Sequence, residues 1–317
     1  MKKILITGGY GIFGTSLSNY LIKKKYKLFL LDRSKEKRKI SKSINTKFAT
    51  RVVGNLNNLN RLIQIIKKYK IDTIIHLGAK TQILDSYKKP YETFQTNIFG
   101  TINILEAVRV VNKNIHVIFS SSVKAYGKMT TKSYKETDPL FGDLPDEVSK
   151  SAADLVVQSY SKTYGLKVGI FRSSNIYGPA DFNIDRLIPG TIIRALKGKA
   201  IKLRTTGKFK RDFIYVDDVS DAYYRLMLFM KKNKKKKLFI YNLGSKYNLN
   251  SLEVVKKIYK TMNLNLKPII LNNSKIEIVK QKPNYNKAKK DLKWRPSTNF
   301  TDGILKTVNW YKLNYKY

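Results

Sequence analysis

Three glycines spaced G-x-x-G-x-x-G, Gly8, Gly11 and Gly14, follow the short apolar run Ile4, Leu5 and Ile6. Apolar residues then recur at helical intervals from Ile12 to Lys24. Strand, glycine turn and helix in that order make a cradle for a pyrophosphate. The glycines permit a tight turn, let the backbone come close to the anion, and bring helix against strand. The first turn of the helix adds unpaired N–H groups and the positive end of its dipole. A second apolar run, Lys27 to Asp32, ends in a carboxylate. An acid at that distance accepts hydrogen bonds from the hydroxyls of an adenosine ribose, which favours NAD. Arg33, Lys35 and Arg38 lie close by and could receive a 2′-phosphate instead. The pattern reads as a dinucleotide site and is silent about the reaction.

The elements that must hold this cradle follow from periodicity. Phe48 to Val53 predicts a third strand, followed by Gly54, Asn55 and Leu56 and an amphipathic helix carrying Leu59, Leu62, Ile63 and Ile66. Asp72 to Gly78 predicts a fourth strand, Tyr91 to Val111 a long helix, and Ile115 to Ser121 a fifth strand. A helix from Asp146 to Tyr164 and a strand from Lys167 to Phe171 continue the alternation. Such alternation predicts an α/β fold with a Rossmann-type, doubly wound parallel sheet. From Gly178 onward, Pro179, Pro189, Gly190, Gly198 and Gly207 punctuate shorter elements. Residues 1–177 are therefore expected to form the cofactor-binding domain and 178–317 mainly a smaller, mixed substrate-binding lobe. Elements near 212–245, above all the strand Leu238 to Leu243, are expected to return to the main sheet.

A chain of 317 residues can bury a large core. It has no cysteine, which excludes disulfides and thiolate metal sites, and no metal centre is expected. The first apolar run is too short for a signal peptide, and no apolar stretch approaches the ~20 residues of a membrane span. A soluble, cytoplasmic protein without membrane insertion is expected. The formal net charge is +41. A nucleic acid or an anionic membrane would be the functional reading of that charge. Lysine, isoleucine, asparagine and tyrosine are all favoured by A/T-rich codons, however, and the lysines are spread along the chain. The dense run Lys231 to Lys237, interrupted by Asn233, reads as a solvated loop. Compositional drift is the preferred reading, with no nucleic-acid partner.

Further motifs add to the glycine turn: H-L-G-A at His76 to Ala79, T-N-I-F-G-T at Thr96 to Thr101, and F-S-S-S-V-K-A-Y-G at Phe119 to Gly127. N-I-Y-G-P at Asn175 to Pro179, R-D-F-I-Y-V-D-D at Arg211 to Asp218, and K-A-K-K-D-L-K-W-R-P ending at Pro296 follow. Together they resemble, nearly end to end, the extended short-chain dehydrogenase/reductases of the NAD-dependent nucleotide-sugar epimerase/dehydratase group. H-L-G-A-K-T and D-R-L-I-P-G-T are most similar to CDP-glucose 4,6-dehydratase-like members. The resemblance implies oxidation of a sugar C4 hydroxyl by NAD. The 4-keto sugar then loses water across C5 and C6, or turns over and is reduced on its other face. It assigns Ser122 to the hydroxyl and Lys150 to the nicotinamide ribose and to the base. Phe13, Leu56, Ala79 and Asn97 join Gly8, Gly11, Gly14 and Asp32 at the cofactor, with Asn55 near the adenine. Asn175 and Arg211 fall to the diphosphate of a nucleoside-diphosphate hexose, where a guanidinium pairs two phosphate oxygens. Arg186 is a further candidate for that anion. A homodimer through the helices Tyr91 to Val111 and Asp146 to Tyr164, and a role in cell-surface polysaccharide biosynthesis, are also implied.

Two positions depart from the pattern. The group has a tyrosine four residues before the lysine as base, and this chain has Asp146. A carboxylate holds its proton far less tightly than a phenol and is shorter. Tyr126, Tyr177 and His76 are the substitutes in reach of the same motifs. Dehydratases of the group carry an Asp after the catalytic Ser or Thr to protonate the departing C6 hydroxyl. Val123 stands there, followed by Lys124, which becomes the candidate acid. A 4,6-dehydratase is the leading expectation, a 4-epimerase the second, and a member that binds both ligands without turnover the third.

Overall fold

Strand β1 (Lys3–Thr7) sends Ile4 and Ile6 to one face of a sheet and Leu5 to the other, the period-two alternation of extended chain. Both faces are covered, so its neighbours are also apolar runs: β2 (Lys27–Asp32), β3 (Ala49–Val53), β4 (Thr73–His76), β5 (His116–Ser122) and β6 (Val168–Ser173). The computed structural model describes residues 2–33, 44, 48–128, 132–273 and 279–315; Lys35 and Arg38 lie outside them. Three short strands follow β6: β7 (Asn175–Tyr177), β8 (Lys202–Leu203) and β9 (Lys210–Tyr215). Then β10 (Leu238–Leu243) returns to the main sheet, which has seven parallel strands in the order β10-β6-β5-β4-β1-β2-β3. The last two strands are β11 (Asn248–Asn250) and β12 (Ile269–Ile270).

Helix α1 (Ile12–Lys23) lies on one face of this sheet, and α2 (Leu59–Tyr69) on the other. The expected long helix at Tyr91 to Val111 is divided. After α3 (Ile83–Lys88) and α4 (Pro90–Phe94), one π-helical turn, Gln95–Phe99, precedes α5 (Gly100–Val111). Its cause is local. Asn97 within that turn exchanges hydrogen bonds with the Lys80 backbone, accepting from the N–H at 2.8 Å and donating to the carbonyl at 2.9 Å. Helix α6 (Pro145–Tyr164) starts on a proline, which fits the first helical position, and packs beside α5. Strand β4 stops at His76, two residues short of expectation, because Thr7 Oγ1 accepts from the N–H groups of Leu77 and Gly78 at 3.1 and 2.9 Å.

Helices α7 (Leu187–Leu196), α8 (Val216–Lys232), α9 (Ser251–Thr261), α10 (Asn286–Leu292) and α11 (Phe300–Asn314) complete the chain. Helix α8 packs against α1, with Phe13 edge-on to Tyr223 at 4.8 Å. The lobe builds a three-stranded sheet, β11-β9-β7, and a two-stranded one, β12-β8. Of the elements near 212–245, only β10 joins the main sheet; β9 pairs with β7 and β11. Trp294 ties the C-terminal segment to the start of α8, its indole N–H donating to the Asp218 carbonyl at 2.8 Å. One continuous apolar core therefore runs from α1 and α8 through α7, α9 and α11.

Candidate active site

The strands end along one edge, where a cleft of about 1440 Å³ opens between the sheet and the lobe. Strand order reverses between β1 and β4, and ligands of open α/β sheets bind at that point. Gly8 has φ +67°, a conformation that favours glycine, and a side chain there would lie 2.9 Å from the Gly78 backbone nitrogen. A side chain at Gly14 would strike the Gly8 carbonyl and the Gly9 backbone. At Gly11, by contrast, an added Cβ would meet only the Gly8 carbonyl, at 3.3 Å; beyond it lies the cleft. The turn is thus closed behind and bare in front, the shape a pyrophosphate needs at the N-terminus of α1. Gly14→Ala is expected to cost about 1–3 kcal/mol of stability by overpacking. It should also weaken dinucleotide binding at least about tenfold as the turn opens, which urea unfolding and a binding titration read separately.

Asp32 ends β2 in the wall of the cleft and accepts from Arg51 at 3.2 Å. Asn55, Leu56 and Ala79 line the same wall. Asn97 does not line the cleft. Its amide is taken up by Lys80 and, at 2.9 Å, by Ser149 Oγ, and so holds the loop after β4 in place. The Phe13 ring likewise turns into the core against Tyr223, leaving its backbone to the cradle.

Ser122, Lys124, Asp146 and Lys150 meet on the floor of the cleft. Ser122 closes β5, and its Oγ accepts from the Lys124 N–H at 3.2 Å. The Lys124 ammonium reaches across to α6 and donates to Asp146 Oδ2 at 2.6 Å. Asp146 is buried, and its second oxygen, Oδ1, has no partner among the described residues. Lys150 sits one turn further along α6, on the same face, its Nζ 3.4 Å from the Ser120 carbonyl. Burial, reinforced by the Lys124 charge, lowers the Lys150 pKa to about 8.

That value sets a pH window. Lys150 is charged below pH 8 and loses its proton as pH rises through about 8. Any step that needs this cation should slow across that range, and Lys150→Arg should flatten the profile because a guanidinium does not deprotonate. Rates measured from pH 7 to 9 check both.

The substitute bases are engaged elsewhere. His76 is buried, its pKa pushed down to about 3 by burial. Its Nε2 lies 3.1 Å from Thr101 Oγ1, which donates to the Asn97 carbonyl, so Nε2 carries the proton. Its Nδ1, 2.7 Å from Thr7 Oγ1, is then an acceptor already in use. Tyr126 donates to Asn242 Oδ1 at 2.7 Å, accepts from Arg172 at 2.9 Å, and is pushed up to about 12 by burial. Tyr177 points its hydroxyl toward the Phe300 carbonyl, and burial raises its pKa. Val123 packs with Tyr126 and Tyr134 and does not line the cleft.

On the lobe side, Asn175 and Arg211 line the cleft, Asn175 donating to the Asp212 carbonyl at 3.1 Å. The Asp212 carboxylate turns to the Ser245 N–H at 2.9 Å, and burial raises its pKa to about 7. Arg186 is already committed, donating to Asp181 at 2.9 Å and to Thr81 at 3.0 Å across the cleft. Arg194 and Arg204 also line it, and sequence reasoning missed both because neither stands in a motif.

A sequence model of the GDP-mannose 4,6 dehydratase family matches residues 5–307. The chain belongs to this family. The placement agrees with the extended short-chain dehydrogenase/reductase group of nucleotide-sugar dehydratases and epimerases. A dTDP-D-glucose 4,6-dehydratase of Dictyostelium discoideum is 30% identical over 374 residues, covering 100% of this chain and 83% of the relative. A trifunctional UDP-glucose 4,6-dehydratase/3,5-epimerase/reductase of Arabidopsis thaliana is 29% identical over 332 residues. The match takes in 99% of this chain but 47% of that protein, so the chain spans about half the length of such relatives. Among solved structures, a dTDP-glucose 4,6-dehydratase of Bacillus anthracis in complex with NAD superposes with a TM-score of 0.85 at 26% identity, covering 99% of this chain and 98% of that one. A UDP-glucose 4-epimerase of Thermotoga maritima has the same fold, with a TM-score of 0.90 at 24% identity, covering 99% and 100%. Where the resemblance implies a tyrosine base and an acid after the catalytic serine, this chain brings Lys124 and Asp146 into contact.

Proposed function

We propose that this protein is an NAD-dependent nucleoside-diphosphate-hexose 4,6-dehydratase working through a 4-keto sugar. The observation that carries the reading is the Lys124–Asp146 contact beside Ser122 on the floor of the cleft. Ser122 and the Asp146 carboxylate hold the C4 hydroxyl, and the carboxylate takes its proton as the C4–H bond breaks. Bound at the glycine cradle, NAD supplies the acceptor for the hydride from C4 and its return to C6. Lys124 and Lys150 keep positive charge around the oxygen while it becomes a carbonyl. Lys124 then gives a proton to the departing C6 hydroxyl, and Asp146 returns the C4 proton to Lys124 through their 2.6 Å contact. The C4 proton thus leaves as part of the water. Arg211 and Asn175 face the diphosphate. Glu147, which also lines the cleft, takes the C5 proton as water departs and hands a proton back to C5 once C6 has received its hydride. That proton exchanges with solvent in between, so turnover in D₂O should place one deuterium at C5 of the product, read by proton NMR. Water loss with no deuterium at C5 contradicts this course.

A 4-epimerase is the second reading, favoured by Val123, whose burial leaves no carboxyl after Ser122. We further infer a homodimer, with α4, α5 and α6 facing the second copy, from exposed Tyr91, Phe99 and Leu155 on those elements and the adjoining π turn. A place in cell-surface polysaccharide assembly would follow from the product class.

A further inference from the structure

The lysines that lie scattered in sequence are gathered by topology. In a parallel sheet every strand starts at the same edge, here the edge opposite the cleft. Backbone hydrogen bonds trace that edge across six strands. Lys27 N–H donates to the Lys2 carbonyl at 3.2 Å, and Asp72 N–H to Lys3 at 3.1 Å. His116 N–H donates to Asp72 at 3.2 Å, Val117 N–H to Lys167 at 3.0 Å, and Val168 N–H to Lys237 at 2.8 Å. At ~4.8 Å per strand the row is about 24 Å wide. Each connection arriving there brings cations. The turn before β2 exposes Lys23, Lys24, Lys25 and Lys27. The turn before β4 exposes Lys67, Lys68 and Lys70, and the loops before β5 and β6 add Lys113 and Lys162. The loop before β10 exposes every lysine from Lys231 to Lys237.

The segments 2–3, 23–27, 67–72, 112–116, 162–167 and 231–237 together hold 18 lysines and one acidic residue, Asp72. Drift spread evenly along the chain would not concentrate lysine in this way. Helix dipoles favour lysine in a last turn, which accounts for Lys23, Lys67 and Lys231, but the effect fades within that turn. Lys27, Lys70 and the run Lys234 to Lys237 lie beyond it. His116, in the middle of the row, is held uncharged, its pKa pushed down to about 4 by burial and then by Lys167 and Lys2.

We propose that this edge is a docking surface for an anionic lipid bilayer, holding the protein at the membrane with its cleft facing solution. The composition favours a broad, diffuse anion over a nucleic acid. Lysine, not arginine, dominates these segments, and Arg109, in the last turn of α5 beside them, is held by Glu106 and is not free to grip phosphates or guanines bidentately. Their tyrosines are not open stacking platforms: Tyr26 packs edge-on to Tyr224, Tyr69 lies on Phe29, and Arg109 covers Tyr164. Lysines on a flat face suit a charged bilayer, to which each adds attraction without demanding a fixed geometry.

Sedimentation with phosphatidylcholine vesicles, with and without about 30% phosphatidylserine, at about 150 mM salt tests this. A variant with Lys234→Gln, Lys235→Gln, Lys236→Gln and Lys237→Gln is compared with a control of equal charge, Lys256→Gln, Lys257→Gln, Lys260→Gln and Lys290→Gln, on α9 and α10. All eight side chains are exposed, so both variants should fold as the parent does. The parent and the control should bind the anionic vesicles and not the neutral ones, and the edge variant should bind at least about tenfold more weakly. No binding by the parent, or equal loss in both variants, overturns the proposal. Tighter binding to a DNA or RNA duplex than to the vesicles overturns it in favour of nucleic acid.

Discussion

Asp146→Asn should lower kcat by about 10²–10⁴, the usual contribution of a positioned base, while the KM for the sugar nucleotide stays within about threefold. The reasoning is geometric. Asparagine keeps the size and leaves one oxygen to hold the C4 hydroxyl, so binding survives, but it cannot take the proton as the C–H bond breaks. A factor of ~10³ corresponds to about 4 kcal/mol of transition-state stabilisation. The substitute bases that the sequence offers cannot take over. His76 has both ring nitrogens occupied, Tyr126 is held between Arg172 and Asn242, and Tyr177 faces the Phe300 carbonyl. An unchanged dinucleotide titration shows that the fold is intact. A loss below about tenfold would make Asp146 no more than the ion-pair partner of Lys124.

The second large effect belongs to Lys124. Lys124→Met should cut water loss by at least about 10² while C4 oxidation continues, so that reduced nicotinamide accumulates without dehydrated product. Methionine has similar length and no proton to give, and Val123 beside it is packed into the core. Lys124→Arg separates charge from proton transfer. It restores the positive charge opposite Asp146 but does not give up a proton. If arginine rescues water loss, the role of Lys124 is electrostatic and the proton relay is wrong. If only lysine supports it, the relay stands.

Much of the scaffold could be read before the structure, for a physical reason. Parallel strands covered on both faces are continuous apolar runs, and Lys27–Asp32 and Leu238–Leu243 have the bounds their composition implies. The glycine turn was equally legible, because close approach of Gly14 to the Gly8 carbonyl leaves no room for any other residue. What escaped was contact between distant segments. Lys124 and Asp146 are 22 positions apart, one in the turn after a strand and the other at the start of a helix, and no local pattern announces that they touch. The capture of Tyr126 by Asn242 spans 116 positions. Asn97 sits in a motif associated with the cofactor, yet its amide serves Lys80 and Ser149, a role visible only once α6 is in place. The basic edge shows the same limit. Its lysines look scattered until a parallel sheet sets the start of each strand beside the next.

The most direct test of the central claim is mass spectrometry of the products formed by the wild-type protein with NAD and a panel of CDP-, UDP-, GDP- and dTDP-hexoses, with Asp146→Tyr run beside it. The account predicts loss of one water from one of these substrates by the wild type, with Asp146 and Lys124 as its proton relay. An isomer of unchanged mass would make the protein an epimerase. An inert wild type beside an active Asp146→Tyr would contradict the account outright, showing that Asp146 abolishes the chemistry and that the cleft only binds.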